Sequence, residues 1–166
     1  MIIVIFGQPH SGKSTLAKGV QQEIFFTSKI SAPIIDGDDI REIFKNKDFS
    51  KEGRIKNLQN ISNIATFLNV HYPLVLVSAV YPLEESRAYL NELNAHPLED
   101  VKGVRWVYLT YEGERGREAN HVKDFEEPLL DSPNLLTLNT SYNGIQDCIE
   151  KICSLYWSVS DVAQGA

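Results

Sequence analysis

Cysteine and methionine are scarce in this 166-residue chain, basic residues are outnumbered, and no apolar run approaches the roughly 20 residues of a bilayer span. Each shortage excludes something. Cys148 and Cys153 stand five apart in a segment patterned as a terminal helix, so they are expected on different faces. They read as reduced core thiols of a cytoplasmic protein, not as a disulfide or metal pair. Sixteen Lys and Arg against 22 Asp and Glu give a net charge of −6. That balance argues against a groove for long nucleic acid, where affinity comes from neutralising many phosphates. His10, His71, His96 and His121 are scattered, with no spacing that gathers a metal site. Repeats and low-complexity tracts are absent, and Met1 leads straight into an apolar run, so no leader is expected. The length suits one domain, expected over residues 1–158 with 159–166 as a loose tail.

What the chain does have stands at its start. Gly7-Gln8-Pro9-His10-Ser11-Gly12-Lys13-Ser14, followed by Thr15, fits the GxxxxGK[ST] phosphate loop and comes directly after Ile2-Ile3-Val4-Ile5-Phe6. Such a loop wraps phosphate in backbone N–H groups and aims the next helix N-terminus at it. Binding of ATP with Mg²⁺ is therefore expected, with Lys13 on the β and γ phosphates and Ser14 as a metal ligand.

Apolar runs bounded by turn residues recur at 2–6, 33–35, 74–78, 104–109 and 135–138. Helical patterns are expected at 14–25, 38–44, 52–69, 83–94 and 142–157; in the third, Ile55, Leu58, Ile61, Ser62, Ala65 and Leu68 form a core-facing stripe. This alternation predicts an α/β fold, a five-stranded parallel sheet flanked by helices, whose ligands sit at the carboxyl ends of the strands.

Asp36-Gly37-Asp38 follows the second strand, where two carboxylates can face the phosphate loop. One suits Mg²⁺ (Asp36) and the other the attacking hydroxyl (Asp38). The plain alternative is that Asp38 or Asp39 caps the helix beginning at Ile40. No aspartate ends the 74–78 strand, taken as the middle one; Ser78 stands there, which favours a small kinase over a motor ATPase. No Asn-Lys-x-Asp guanine motif is present either. Trp106 and Trp157 read as core, and Glu84 and Glu85 with Arg87 as a solvated face.

Taken together, Gly7-x-x-x-Ser11-Gly12-Lys13-Ser14-Thr15, Asp36-Gly37-Asp38-Asp39-Ile40-Arg41 and Phe49-Ser50-x-x-x-Arg54-x-x-Asn57 resemble adenylylsulfate kinase. The stretch from Ser78 to Arg87 is similar to that family's segment after the third strand, keeping Pro82 and Arg87. The resemblance implies a P-loop kinase that moves the γ-phosphoryl of ATP to the 3′-hydroxyl of adenylylsulfate. Arg41, Arg54 and Asn57 would grip the phosphosulfate, and Phe49 would stack on the adenine. Lys123 and Phe125 match the family's acceptor-binding lysine and phenylalanine before the last strand, so Phe125 would be the second slice of a sandwich around the acceptor base, the alternative being an exposed charged loop with Phe125 tucked into the core. Arg115 or Arg117 would serve as the lid arginine that reaches the transferring phosphoryl group.

The departures fall on the acceptor side. Gly53 replaces an aspartate, Gln59 and Asn60 replace arginines, Tyr81 and Glu84 replace a serine and an arginine, and the lid from Glu112 to Phe125 is shorter. They motivate two alternatives: the same machinery acting on another nucleotide-linked alcohol or a polynucleotide end, and a decayed nucleotide-binding regulator. The expected partners are small molecules, with a homodimer allowed and neither long nucleic acid nor membrane.

Overall fold

Ile2 to Phe6 have no exposed surface at all, the mark of a strand in a parallel sheet covered on both faces. The computed structural model describes residues 1–95, 103–113 and 121–164, with side chains up to residue 158. Five parallel strands, β1 (Ile2–Gly7), β2 (Ile34–Asp36), β3 (Val75–Ser78), β4 (Val104–Thr110) and β5 (Leu135–Asn139), lie in the order β2-β3-β1-β4-β5. The helices are α1 (Lys13–Ser28), α2 (Gly37–Ile43), α3 (Lys51–His71), α4 (Glu84–Leu93) and α5 (Ile145–Gln164). The expected fold is therefore present, with β1 rather than β3 at the centre.

Alternation along β1 divides the core. Ile3 and Ile5 pack with Leu16, Val20 and Ile24 of α1 and Ile152 of α5. Ile2, Val4 and Phe6 pack with Leu58, Ile61 and Ala65 of α3, Leu90 of α4 and Trp106. A fully buried Ile, Val or Phe side chain stabilises by about 1.5–3 kcal/mol. The strand that ends in the phosphate loop is thus held by apolar packing on both faces. Register then aligns the strand ends: Ile5 and Asp36 both lie opposite Ser78, and Gly7 lies opposite Leu109.

Several details differ from the sequence expectations. Cys148 and Cys153 are both buried in the same apolar layer, because a five-residue step still falls within the wide face that α5 turns to α1. Burial pushes the Cys153 thiol up to about 11. The stripe of α3 includes Gly53 and Asn57, which are buried, whereas Ile55 is half-buried. α5 begins at Ile145, because Asn143 and Tyr142 turn back onto the Asn139 carbonyl. It runs to Gln164, beyond the expected helix end at 157, since neither Gly nor Pro interrupts it before Gly165.

Arg87 is not part of a solvated face. It is 4% exposed and donates to Glu84 Oε2, to the Tyr81 carbonyl (2.9 Å) and to the Glu126 carbonyl (2.9 Å). Trp106 is core as expected, with its indole N–H on Asn91 Oδ1. No helix among the described residues is long and apolar enough to cross a membrane.

Candidate active site

The phosphate loop leaves β1 through Gly7, whose φ is 143° and where a Cβ would sit 2.4 Å from the Leu109 carbonyl oxygen. Only glycine fits between the loop and β4. Gly12, at φ 98°, caps α1, so the first N–H groups of that helix open onto the loop. Lys13 folds back within it and donates to the Gln8 carbonyl (2.8 Å) and weakly to Ser11 Oγ (3.5 Å). Burial lowers the Lys13 ammonium from 10.5 to about 8, against the opposing pull of Asp38 and then Asp36. A cation desolvated this far beside open helix N–H groups is a site for an anion.

Asp36 ends β2 in extended geometry and is itself the cap of α2, its Oδ1 accepting from the Asp38 backbone N–H (3.0 Å). The capping role expected of Asp38 or Asp39 thus falls to Asp36, because the helix starts one turn earlier, at Gly37. The other Asp36 oxygen accepts from Ser14 Oγ (2.7 Å), and Ser14 Oγ lies 3.1 Å from Ser78 Oγ. These are hard oxygen donors gathered at a phosphate loop, the set that suits Mg²⁺ held through one or two protein oxygens, water and substrate phosphate. Asp38 is exposed on the cavity wall, leaving its carboxylate accessible to a second substrate.

Between α2 and α3 the chain ties itself into a polar knot. Asn46 Oδ1 accepts from the Asp48 N–H (3.0 Å), Asn46 Nδ2 donates to the Gly53 carbonyl (2.8 Å), and Asp48 Oδ1 accepts from the Ser50 N–H (2.8 Å). Ser50 caps α3 by accepting from Gly53 N–H (3.2 Å). Gly53, the position that departs from the family pattern, has a physical reason. A Cβ there would lie 2.4 Å from both the carboxyl carbon and the backbone oxygen of Asp48.

The knot presents Phe49 at 63% exposure with the Arg41 guanidinium over its ring at 4.4 Å and Arg54 at 5.9 Å. Arg41 donates to the Asp48 carbonyl (2.7 Å) and Arg54 Nε to the Phe49 carbonyl (3.0 Å). Burial first and Arg54 second lower the Arg41 proton affinity, against Asp38 and Asp48. Asn57 Nδ2 donates to the Gly37 carbonyl (3.2 Å), while its buried Oδ1 has no partner among the described residues.

One cavity of about 750 Å³ unites these groups. Its wall contains Pro9, His10, Gly12, Lys13, Ser14 and Thr15 from the loop, Asp36, Asp38 and Arg41 from β2 and α2, and Phe49, Arg54 and Asn57 from the knot and α3. A smaller cavity of about 320 Å³ shares Phe49 and Arg54 and adds Lys123. Gly7 and Ser11 are buried beneath the loop, and Gln8 turns its side chain away, to the backbone of Val122. Phe125 lines neither cavity; it is half-buried and stacked on Tyr108 at 5.9 Å. Arg115 and Arg117 lie outside the described residues. Sequence reasoning did not single out Ser78, Gln8 or Tyr81 for these contacts. Tyr81 is a buried residue at φ 44° whose hydroxyl pairs with Ser62 (3.0 Å).

Known proteins resemble this arrangement along most of the chain. The family described as adenylylsulphate kinase matches residues 1–111. The bifunctional enzyme CysN/CysC of Mycobacterium tuberculosis is 38% identical over 167 aligned residues, covering 93% of this chain and 27% of that protein, so the chain spans about a quarter of that relative. An adenylyl-sulfate kinase of Deinococcus deserti is 34% identical, covering 91% of this chain and 88% of that one. The structure of Mycobacterium tuberculosis APS kinase CysC in complex with AMPPNP and APS is similar with a TM-score of 0.78 at 25% identity, covering 93% of this chain and 95% of that one. The family match runs from β1 to just past β4 and encloses the phosphate loop, both carboxylates and both arginines, and the chain belongs to the adenylylsulphate kinase family.

Proposed function

We propose that this chain transfers the γ-phosphoryl group of ATP to the 3′-hydroxyl of adenylylsulfate, giving 3′-phosphoadenylylsulfate and ADP. The supporting observation is the single cavity that joins Lys13, Ser14, Asp36 and Asp38 to Arg41, Arg54, Phe49 and Asn57. The likeness to a kinase solved with AMPPNP and APS supports the same pair of substrates.

In this reading the loop N–H groups and Lys13 hold the β and γ phosphates, and the ammonium leaves the Gln8 carbonyl to do so. Ser14 and Asp36 would hold Mg²⁺, which when bound neutralises charge on the transferring phosphate. Asp38 accepts a hydrogen bond from the 3′-hydroxyl and aims its oxygen in line with the γ-phosphorus; as the O–P bond forms, the hydroxyl proton passes toward the Asp38 carboxylate. Arg41 and Arg54 crowd two cations around one ring, an arrangement relieved by the phosphosulfate anion. The unpartnered Asn57 Oδ1 is an acceptor for a hydroxyl or amino group of the nucleoside. Phe49, open to solvent, offers the adenine a stacking surface. Lys123 would complete the charge around the acceptor, and a lid arginine, Arg115 or Arg117, would reach the transferring phosphoryl group. A cytoplasmic setting agrees with the two buried free thiols.

Coupled ADP release from purified protein tests this. Adenylylsulfate-dependent release in the presence of Mg²⁺ supports it. Release driven instead by another nucleotide or by a 5′-hydroxyl oligonucleotide would replace the acceptor, and ATP binding without release would remove the enzymatic reading.

A further inference from the structure

Gln8 occupies a variable position of the phosphate loop, yet its side-chain amide does not face the phosphate cavity. Its Nε2 donates to the Val122 carbonyl (3.1 Å) and its Oε1 accepts from the Val122 N–H (2.9 Å). The two bonds pair one amide with both polar groups of a buried residue 114 positions away, as a neighbouring strand would. The Gln8 carbonyl, meanwhile, accepts from Lys13 Nζ (2.8 Å) and from the Ser11 N–H (3.3 Å). One residue thus grips the phosphate-binding lysine with its backbone and a distant segment with its side chain.

That segment lines the smaller cavity. Lys123 and Asp124 line it together with Phe49 and Arg54, and Phe125 stacks on Tyr108. Its other end is fixed at Glu126, whose N–H donates to the Pro82 carbonyl (2.8 Å) and whose carbonyl accepts from buried Arg87 (2.9 Å). Residues 122–126 are therefore held at one end by the phosphate loop and at the other by the turn after β3. Of these two anchors, only Gln8 belongs to an element that nucleotide phosphates touch.

The geometry points to Gln8 as a positioning residue that couples nucleotide binding to the acceptor wall, so that occupancy of the phosphate loop changes affinity for the acceptor through the Gln8–Val122 pair. When the Lys13 ammonium moves from the Gln8 carbonyl to phosphate, the backbone at Gln8 loses a partner and can readjust, and the doubly bonded amide carries that adjustment to Val122. The inference rests on reading Lys123 and its neighbours as the acceptor side. Loss of both bonds is expected to change the coupling by about tenfold, the equivalent of one or two net hydrogen bonds.

Calorimetry on the full chain tests it, with adenylylsulfate titrated alone and in the presence of Mg²⁺ and AMPPNP, for wild type and Gln8→Leu. The expected result is a nucleotide-dependent adenylylsulfate affinity in the wild type that collapses in Gln8→Leu, with each protein compared at its own saturating AMPPNP. A merely structural contact would lower the melting temperature without altering that ratio. Equal ratios in the two proteins, or no nucleotide dependence in the wild type, would overturn the proposal.

Gln8→Glu supplies a second variant. Its carboxylate still accepts from Val122 N–H but faces the Val122 carbonyl, so coupling is lost at alkaline pH and returns as acid protonates the side chain and restores a donor. If it shows no such return relative to wild type, the pairing is not the conduit. Should adenylylsulfate fail to bind the wild type at all, the proposed acceptor is wrong. The coupling is then judged by amide hydrogen exchange over residues 121–126, which AMPPNP must alter in the wild type and leave unaltered in Gln8→Leu.

Discussion

Replacing Lys13 with methionine should abolish phosphoryl transfer and yet stabilise the empty protein near neutral pH. Burial holds the ammonium at about 8 instead of 10.5, with Asp38 and Asp36 only partly offsetting it. At about 1.4 kcal/mol per tenfold change in proton affinity, the charged form is disfavoured in the folded state by about 3 kcal/mol. The sign follows from proton counting. Between about 8 and 10.5 the unfolded chain binds the proton and the folded one does not, so wild-type stability rises with pH across that window. Below it both states are protonated and the penalty is present in full. Methionine keeps the stem and removes the charge, losing the bond to the Gln8 carbonyl, worth about 1 kcal/mol. The net gain near pH 7 is then about 1–2 kcal/mol, or about 3–6 °C in Tm for a chain of this size. Scanning calorimetry at neutral pH and near pH 10 should show that gain and its disappearance, and Mg²⁺ with ATP should raise Tm for the wild type alone. A variant less stable than wild type at neutral pH, or a difference indifferent to pH, would refute the reasoning.

Three further substitutions probe other parts of the site. Asp38→Asn should lower single-turnover phosphoryl transfer by about 10²–10³-fold while leaving ATP affinity nearly unchanged, as quench-flow and calorimetry would show; unchanged chemistry removes it from the mechanism. Gly53→Ala puts a methyl group 2.4 Å from the Asp48 carboxyl carbon and backbone oxygen, so urea unfolding should register a loss of about 1–3 kcal/mol. Arg87→Met strips a donor from the buried Tyr81 carbonyl and from the Glu126 carbonyl, with an expected loss of about 2–4 kcal/mol in the same assay. A variant as stable as wild type would mean those carbonyls find other partners.

What was legible in the sequence is what short-range chemistry dictates. The phosphate loop, the strand before it and the helix after it occupy contiguous residues, and a parallel sheet follows from apolar runs alternating with helical ones. The illegible contacts join residues far apart in sequence or depend on where a helix starts. Arg87 three residues after Glu84 has the spacing of an exposed ion pair; what buries it is the Glu126 carbonyl, 39 positions on. Moving the start of α2 to Gly37 makes Asp36 the cap, and the same carboxylate that organises α2 then meets Ser14.

The acceptor side shows why counting substitutions against a family pattern misleads. Gly53 reads as the loss of an acidic side chain. In the fold its empty side fits Asp48, whose carboxylate orders Ser50 and whose carbonyl takes Arg41. A carboxylate thus stands in the loop just before the helix, packed against Gly53. Arg41 and Arg54 remain together around Phe49; burial first and the repulsion between them second lower the proton affinity of Arg41, and the nearby Asp38 and Asp48 offset this only in part. With Lys13 also desolvated, the two ends of the cavity each hold positive charge that the protein does not fully balance, in a chain whose net charge is −6. Such a distribution favours anions at both ends, with the exposed carboxylate of Asp38 on the wall they share.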